Sequence, residues 1–161
     1  MPRDDDDLIP WTEELPPCIE PGPFDAVVLS AKRVNQYRRW MVEFLFRLIT
    51  MGTFFDVRLK GYCNLGQIKN AKLSPHSKFA SWQRAVAAFT GGSPSRVTLR
   101  SFRGFWFTVM VSTVTHDGNQ KLLAERDHYS AVTDIITVVG KLAELPPDRQ
   151  LPPHSLDEER S

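Results

Sequence analysis

The 161-residue sequence predicts a mainly β domain, five strands with one helix between the third and the fourth, and acidic Pro-rich ends outside the fold. Three observations carry this. Five runs rich in β-branched and aromatic residues, several alternating with period two, are separated by turn residues. A single stretch changes to helical spacing, with Phe79, Trp82, Val86 and Phe89 on one stripe. The ends show neither period: residues 1–23 hold seven acids and one cation, and residues 142–161 hold five acids and two arginines, both with repeated prolines.

The first strand, residues 24–34, contains the run Ala26-Val27-Val28-Leu29, apolar on both faces, as expected where a closed or strongly curled sheet covers both sides. The second, residues 41–50, alternates: Val42, Phe44, Phe46 and Leu48 share one face, and Met41, Glu43, Leu45, Arg47 and Ile49 share the other. In the third, residues 56–62, Val57 and Leu59 are expected inward, with Arg58, Lys60 and Tyr62 in an outward row. A polar, basic connection over 66–73 leads to the helix. Ser74 suits its N-cap, Pro75 its first position and Gly91-Gly92 its end. The fourth strand covers residues 105–115, alternating Phe105, Phe107, Val109 and Val111 with Trp106, Thr108 and Met110. The fifth, residues 129–139, is dense in valine, isoleucine and threonine.

Three strands, a helix and two strands is the organisation of a five-stranded OB-fold barrel, which binds oligonucleotides on strands 2 and 3 and with its 1–2 and 4–5 loops. The expected layout is an acidic arm at 1–22, an OB-fold domain at 23–141 and an acidic tail at 142–161.

The net charge of +1 conceals a segregation. Residues 24–141 carry 17 Lys and Arg against 7 Asp and Glu, which points to a polyanionic partner. The densest part is Lys32-Arg33-Val34-Asn35-Gln36-Tyr37-Arg38-Arg39-Trp40, without a carboxylate, where a strand connection would ordinarily hold Gly, Asn, Asp or Ser. It falls in the expected 1–2 loop. Lys32, Arg33, Arg38, Arg39, Arg58 and Lys60 are therefore expected to neutralise phosphates, and Tyr37, Trp40 and Tyr62 to stack on bases. Lys121 and Arg126, in the 4–5 connection, are expected to clamp the strand from the other side. The bland alternative for each is a solvated charged surface.

Pro21-Gly22-Pro23-Phe24-Asp25-Ala26-Val27, Met41-Val42-Glu43-Phe44-Leu45-Phe46, Gly61-Tyr62-Cys63-Asn64-Leu65, Ser77-Lys78-Phe79, Phe105-Trp106-Phe107-Thr108-Val109-Met110-Val111 and Tyr129-Ser130-Ala131-Val132-Thr133-Asp134-Ile135 follow in order. Over residues 21–139 this series resembles single-stranded-DNA-binding-like OB-fold proteins of phages and mobile elements. The resemblance implies single-strand binding without catalysis, in replication, recombination or transfer of such an element. Its motifs are structural and fix no ligand position. Bacterial proteins of this kind end in an acidic tail with an apolar tip; here Leu156-Asp157-Glu158-Glu159-Arg160-Ser161 has the acids without the tip. Asp4-Asp5-Asp6-Asp7-Leu8-Ile9-Pro10-Trp11 resembles that tip better, at the opposite end, and is a candidate protein-docking segment beside its plainer reading as an acidic leader.

No catalytic pattern emerges, and neither cofactor nor metal is expected. His76, His116, His128 and His154 lack zinc-site spacing, Cys18 and Cys63 cannot form a zinc knuckle, and Gly91-Gly92-Ser93-Pro94 lacks a phosphate-loop ending. No Gly-x-Ser-x-Gly elbow occurs, and the body's few acids are too scattered for a two-metal nuclease. His116-Asp117 and Asp127-His128 read as loop residues. Two cysteines, no long apolar run and no secretory leader lead to the expectation of a reduced, cytoplasmic protein without membrane contact, binding single-stranded DNA or RNA and free to oligomerise. The competing class is an OB-fold interaction module, such as an inhibitor of a host complex, with no nucleic-acid role.

Overall fold

Alternating apolar residues and aromatic density set up strands that bury one face, and the sheet solves the problem of its own edges by closing on itself. The computed structural model describes residues 17–36, 38–67, 72–117 and 120–149. The strands are β1 (Gly22–Gln36), β2 (Arg39–Leu48), β3 (Arg58–Gly66), β4 (Phe105–Val114) and β5 (Tyr129–Lys141), with helix α1 (Lys78–Thr90) between β3 and β4. They close in the ring order β1-β2-β3-β5-β4. All pairings are antiparallel except β3 with β5, which run parallel and meet at Gly61 and Val132. β1 serves two neighbours: Gly22 to Val27 pair with β4, and Ala26 to Gln36 pair with β2. A bulge between Val28 and Ser30 lets it turn from one to the other.

Gly61 makes the parallel seam possible. A Cβ there would stand 2.8 Å from the Val132 carbonyl oxygen and 3.1 Å from the Phe46 ring. The strands approach that closely because glycine leaves the space empty.

Inside the ring, the alternation read on β2 holds: Val42, Phe44, Phe46 and Leu48 are buried. Phe44 is the centre of an aromatic cluster, 5.0 Å from Trp82, 5.1 Å from Phe102 and 5.7 Å from Phe46 between ring centroids. Such pairs contribute about 0.5–1.5 kcal/mol each beyond their burial. Trp82 donates its indole N–H to Asp134 Oδ1 at 2.9 Å, so a fully buried tryptophan has its polar atom satisfied. Phe79 and Val86 are buried as expected, whereas Phe89 is 40% exposed and meets Phe105 edge-on.

The helix begins one turn later than Ser74 and Pro75 suggest. Ser77 is the N-cap, accepting from the Ala80 N–H, and Ser74-Pro75-His76 forms a preceding turn closed by Ser77 N–H to Ser74 O. Gly91, at φ 77, ends the helix in the left-handed conformation.

Two further departures concern charge and the chain ends. Arg47, on the β2 face opposite Val42 and Phe44, is nonetheless fully buried and ion-paired through Nε to Asp56 at 2.7 Å. The residues that hold Asp56 there are in the turn after β2, where Asp56 N–H bonds back to Leu48 O. Residues 142–149 pack on the fold although their composition reads as tail. Leu145 is buried with Val27 and Ile49, and Arg149 bonds Asp25 Oδ2 at 2.8 Å with its guanidinium 5.4 Å above the Trp106 ring. Likewise, at the end of the arm, Ile19 N–H donates to Ser130 Oγ at 2.7 Å and Ser130 N–H donates to Pro17 O. No helix among the described residues is long and apolar enough to cross a membrane.

Candidate functional site

β3 presents its outward residues as the alternation requires: Arg58 and Lys60 are exposed and Tyr62 half-buried, against buried Leu59, Gly61 and Cys63. The neighbouring strands bring two more groups to this face. Glu43 on β2 lies opposite both Lys32 on β1 and Tyr62 on β3. Its carboxylate receives the Tyr62 hydroxyl at 3.2 Å and stands 3.8 Å from Lys32 Nζ and 3.9 Å from Lys60 Nζ. The side chain of Glu43 is only 13% exposed, while those of the two lysines are 66% and 56% exposed. Exposed ion pairs at such distances are worth about 0–1 kcal/mol, too little to keep a phosphate from drawing the lysines away.

The basic stretch 32–40 is mostly strand, which corrects its expected place in a loop. Lys32 to Gln36 belong to β1, Arg39 and Trp40 to β2, and Gln36 pairs directly with Arg39. Side chains alternate along paired strands, so the stretch divides between two faces. Lys32 and Arg39 lie in register with Glu43, on the face of Lys60 and Tyr62. Arg33 pairs with buried Val42, and Trp40 with Asn35, on the interior-facing register; Arg33 is exposed and Trp40 half-buried. Arg38 turns the chain at φ 62, a left-handed conformation, and is exposed. Among the described residues neither Arg38 nor Arg39 forms an ion pair. Tyr37 lies outside the described residues.

The 4–5 connection folds locally. His116 bridges Leu122, Asp117 N–H bonds Lys121 O, and Lys121 N–H bonds Asp117 Oδ1. Lys121 and Arg126 are both exposed there. No hydrogen bond or ion pair among the described residues joins them to the β1–β2–β3 face.

The structure thus assembles Lys32, Lys60 and Tyr62 around Glu43, with Arg39 and Arg58 on the same face, and separates Arg33 and Trp40 from them. Sequence reasoning missed the central carboxylate, although Glu43 is visible in the outward register of β2. It also missed a broader signal. Between Asp56 and Asp117 there are nine Lys and Arg and no acid, a run that includes Arg96, Arg100 and Arg103 ahead of β4.

Cys63, buried on the inner side of β3, has its thiol pushed up to about 12 by desolvation and is inert as a nucleophile. Among the described residues no cluster of His, Cys, Asp or Glu could hold a metal ion. Comparison of the chain with protein-family models and with curated proteins finds no match.

Proposed function

We propose that this chain is an OB-fold protein that binds single-stranded DNA without sequence preference, on the outer face of β2 and β3. The fold reading is supported by topology: the ring order β1-β2-β3-β5-β4, the parallel β3–β5 closure and the helix between β3 and β4. The observation that carries the function is the face itself. Lys32, Arg39, Arg58 and Lys60 stand in one register with the ring of Tyr62, where an OB fold takes its strand. The cations would meet phosphates, and the tyrosine ring a base, worth roughly 1–3 kcal/mol per stacked base. Arg38, at the hairpin end, extends the cationic reach beyond the ring. The family resemblance of the sequence gives this binding a setting in the replication, recombination or transfer of a phage or mobile element.

Fluorescence anisotropy with oligo-dT and with a matching duplex, at two salt concentrations, tests the reading. Single-strand preference is expected, with log K falling against log salt by about 0.7 per phosphate contacted. Reversing charge at Arg38→Glu and Arg39→Glu should weaken oligo-dT binding strongly while the circular dichroism spectrum stays unchanged. Equal affinity for duplex, or binding to neither, removes the reading. A partner pulled down equally with and without nuclease favours the protein-interaction alternative.

A further inference from the structure

The acid-free run between Asp56 and Asp117 contains a basic segment that the β2–β3 face does not use. Residues 91–104 connect α1 to β4 as Gly-Gly-Ser-Pro-Ser-Arg-Val-Thr-Leu-Arg-Ser-Phe-Arg-Gly. The connection is pinned from within. Val97 and Phe102 are buried, and Phe102 packs 5.1 Å from Phe44 and 5.9 Å from Phe79. It is also tied by hydrogen bonds: Gln83 Nε2 donates to Val97 O at 3.1 Å, and Thr98 N–H donates to Ser101 Oγ at 2.9 Å. Between these anchors Arg96, Arg100 and Arg103 are all exposed. Among the described residues none of the three forms an ion pair. The adjoining turn Leu142–Glu144 brings one acid, Glu144, to the neighbourhood. Three cations on a fixed backbone, without an ion pair among the described residues, is an arrangement that costs self-repulsion and is useful when a polyanion supplies opposite charge.

The place of this segment in the fold gives the polyanion a route. The 3-10 turn Arg100–Gly104 lies against β1, and β4 pairs with β1 only as far as Val27 and Trp106. Beyond Val27 the same strand carries Lys32, which belongs to the β2–β3 face. β1 therefore has the cationic face on one side and the arginine connection on the other.

We propose that residues 91–104 are a second phosphate-binding segment, in which Arg96, Arg100 and Arg103 take the continuation of the single strand held on β2 and β3. The proposal rests on the single-strand reading and adds to it a longer footprint, with one strand crossing β1. Serine and threonine at 93, 95, 98 and 101 supply neutral hydroxyls beside the arginines, so the segment reads charge and backbone and is indifferent to base.

The experiment uses the full chain and a triple variant, Arg96→Ala, Arg100→Ala and Arg103→Ala, with oligo-dT of about 8 nucleotides, within the roughly 4–16 one OB fold covers, and of about 30, beyond it. The triple variant should bind the short oligonucleotide as the unaltered chain does and the long one more weakly. Its salt slope on the long one should be shallower by roughly 2, at about 0.7 for each of three phosphates. The triple Arg→Lys variant should restore both, since it keeps the charges. Unchanged affinity and slope for the long oligonucleotide overturn the second segment while leaving the β2–β3 face standing. Equal weakening at both lengths also overturns it, because the arginines would then belong to a single site. Failure of the unaltered chain to bind either length removes the single-strand reading and this proposal with it. A melting temperature close to that of the unaltered chain shows that exposed arginines, not the fold, were removed.

Discussion

Two lysines and a tyrosine address one carboxylate on the candidate face, so under the proposed reading Glu43 holds charge that a phosphate would take over. Lys32 and Lys60 stand 3.8 and 3.9 Å from it, long for an ion pair, and both are largely exposed, so their exchange to phosphate costs little. Glu43→Gln keeps an acceptor for the Tyr62 hydroxyl and deletes the charge. We expect tighter oligo-dT binding with the salt slope little changed, because Lys32 and Lys60 already meet phosphates in the unaltered chain and only the opposing carboxylate charge is lost. Unchanged affinity would place the carboxylate and its two lysines away from the oligonucleotide. The second residue whose chemistry is set by its surroundings is Cys63. Burial raises its thiol from 9.0 to about 12 in the folded chain, so the folded state retains a proton that the unfolded state loses above 9. The resulting stability is present below pH 9 and is lost as pH rises toward 12. Urea denaturation from pH 8 to 11 should show a steeper alkaline loss for the unaltered chain than for Cys63→Ala. Parallel curves would contradict the desolvated thiol.

At the scale of elements, the seam between β3 and β5 depends on one missing side chain. Gly61→Ala places a methyl group 2.8 Å from the Val132 carbonyl oxygen, a backbone atom that cannot rotate away. Overpacking of this kind costs about 1–3 kcal/mol, and here it acts where the ring closes. Thermal melting should drop clearly, whereas Gly92→Ala, 3.4 Å from the terminal hydroxyl of Thr90, should change it little. Comparable melting of the two variants would mean that the seam yields. The elements themselves were largely legible because period-two alternation is a local property: β2 and β4 bury the faces their apolar residues occupy. The hairpin of β1 and β2 was not. A stretch of cations and amides looks like a loop, yet a ladder needs only backbone groups, and pairing continues to Gln36 and Arg39. That continuation divides the stretch over two faces, which composition cannot reveal. The helix start was misplaced for a similar reason. Ser74 followed by Pro75 and Ser77 both satisfy the capping preference, and only the hydrogen bond to Ala80 selects Ser77.

At the scale of the whole molecule, the sequence separates a basic body from acidic ends, and composition alone would place the boundary at residue 142. Contacts distant in sequence place it later. Asp25 meets Arg149 across the fold, 124 residues away, and no local pattern announces the pair. Leu145 is equally unannounced among prolines and acids, yet it fills a second small core with Val27 and Ile49 on the outside of the ring. That cluster makes residues 142–149 a structural cover. Leu145→Ala should therefore destabilise the chain by about 2–3 kcal/mol, within the range for truncating a buried leucine. The loss should be visible as a lower urea midpoint with an unchanged slope. The cover lies by Val27 of β1 and Trp106 of β4, off the β2–β3 face, so the affinity of the folded variant for oligo-dT of about 8 nucleotides, within one OB fold's footprint, should match that of the unaltered chain. A midpoint that does not move would mean that the segment contributes no burial. A fall in affinity without a fall in stability would make the cover part of the binding surface.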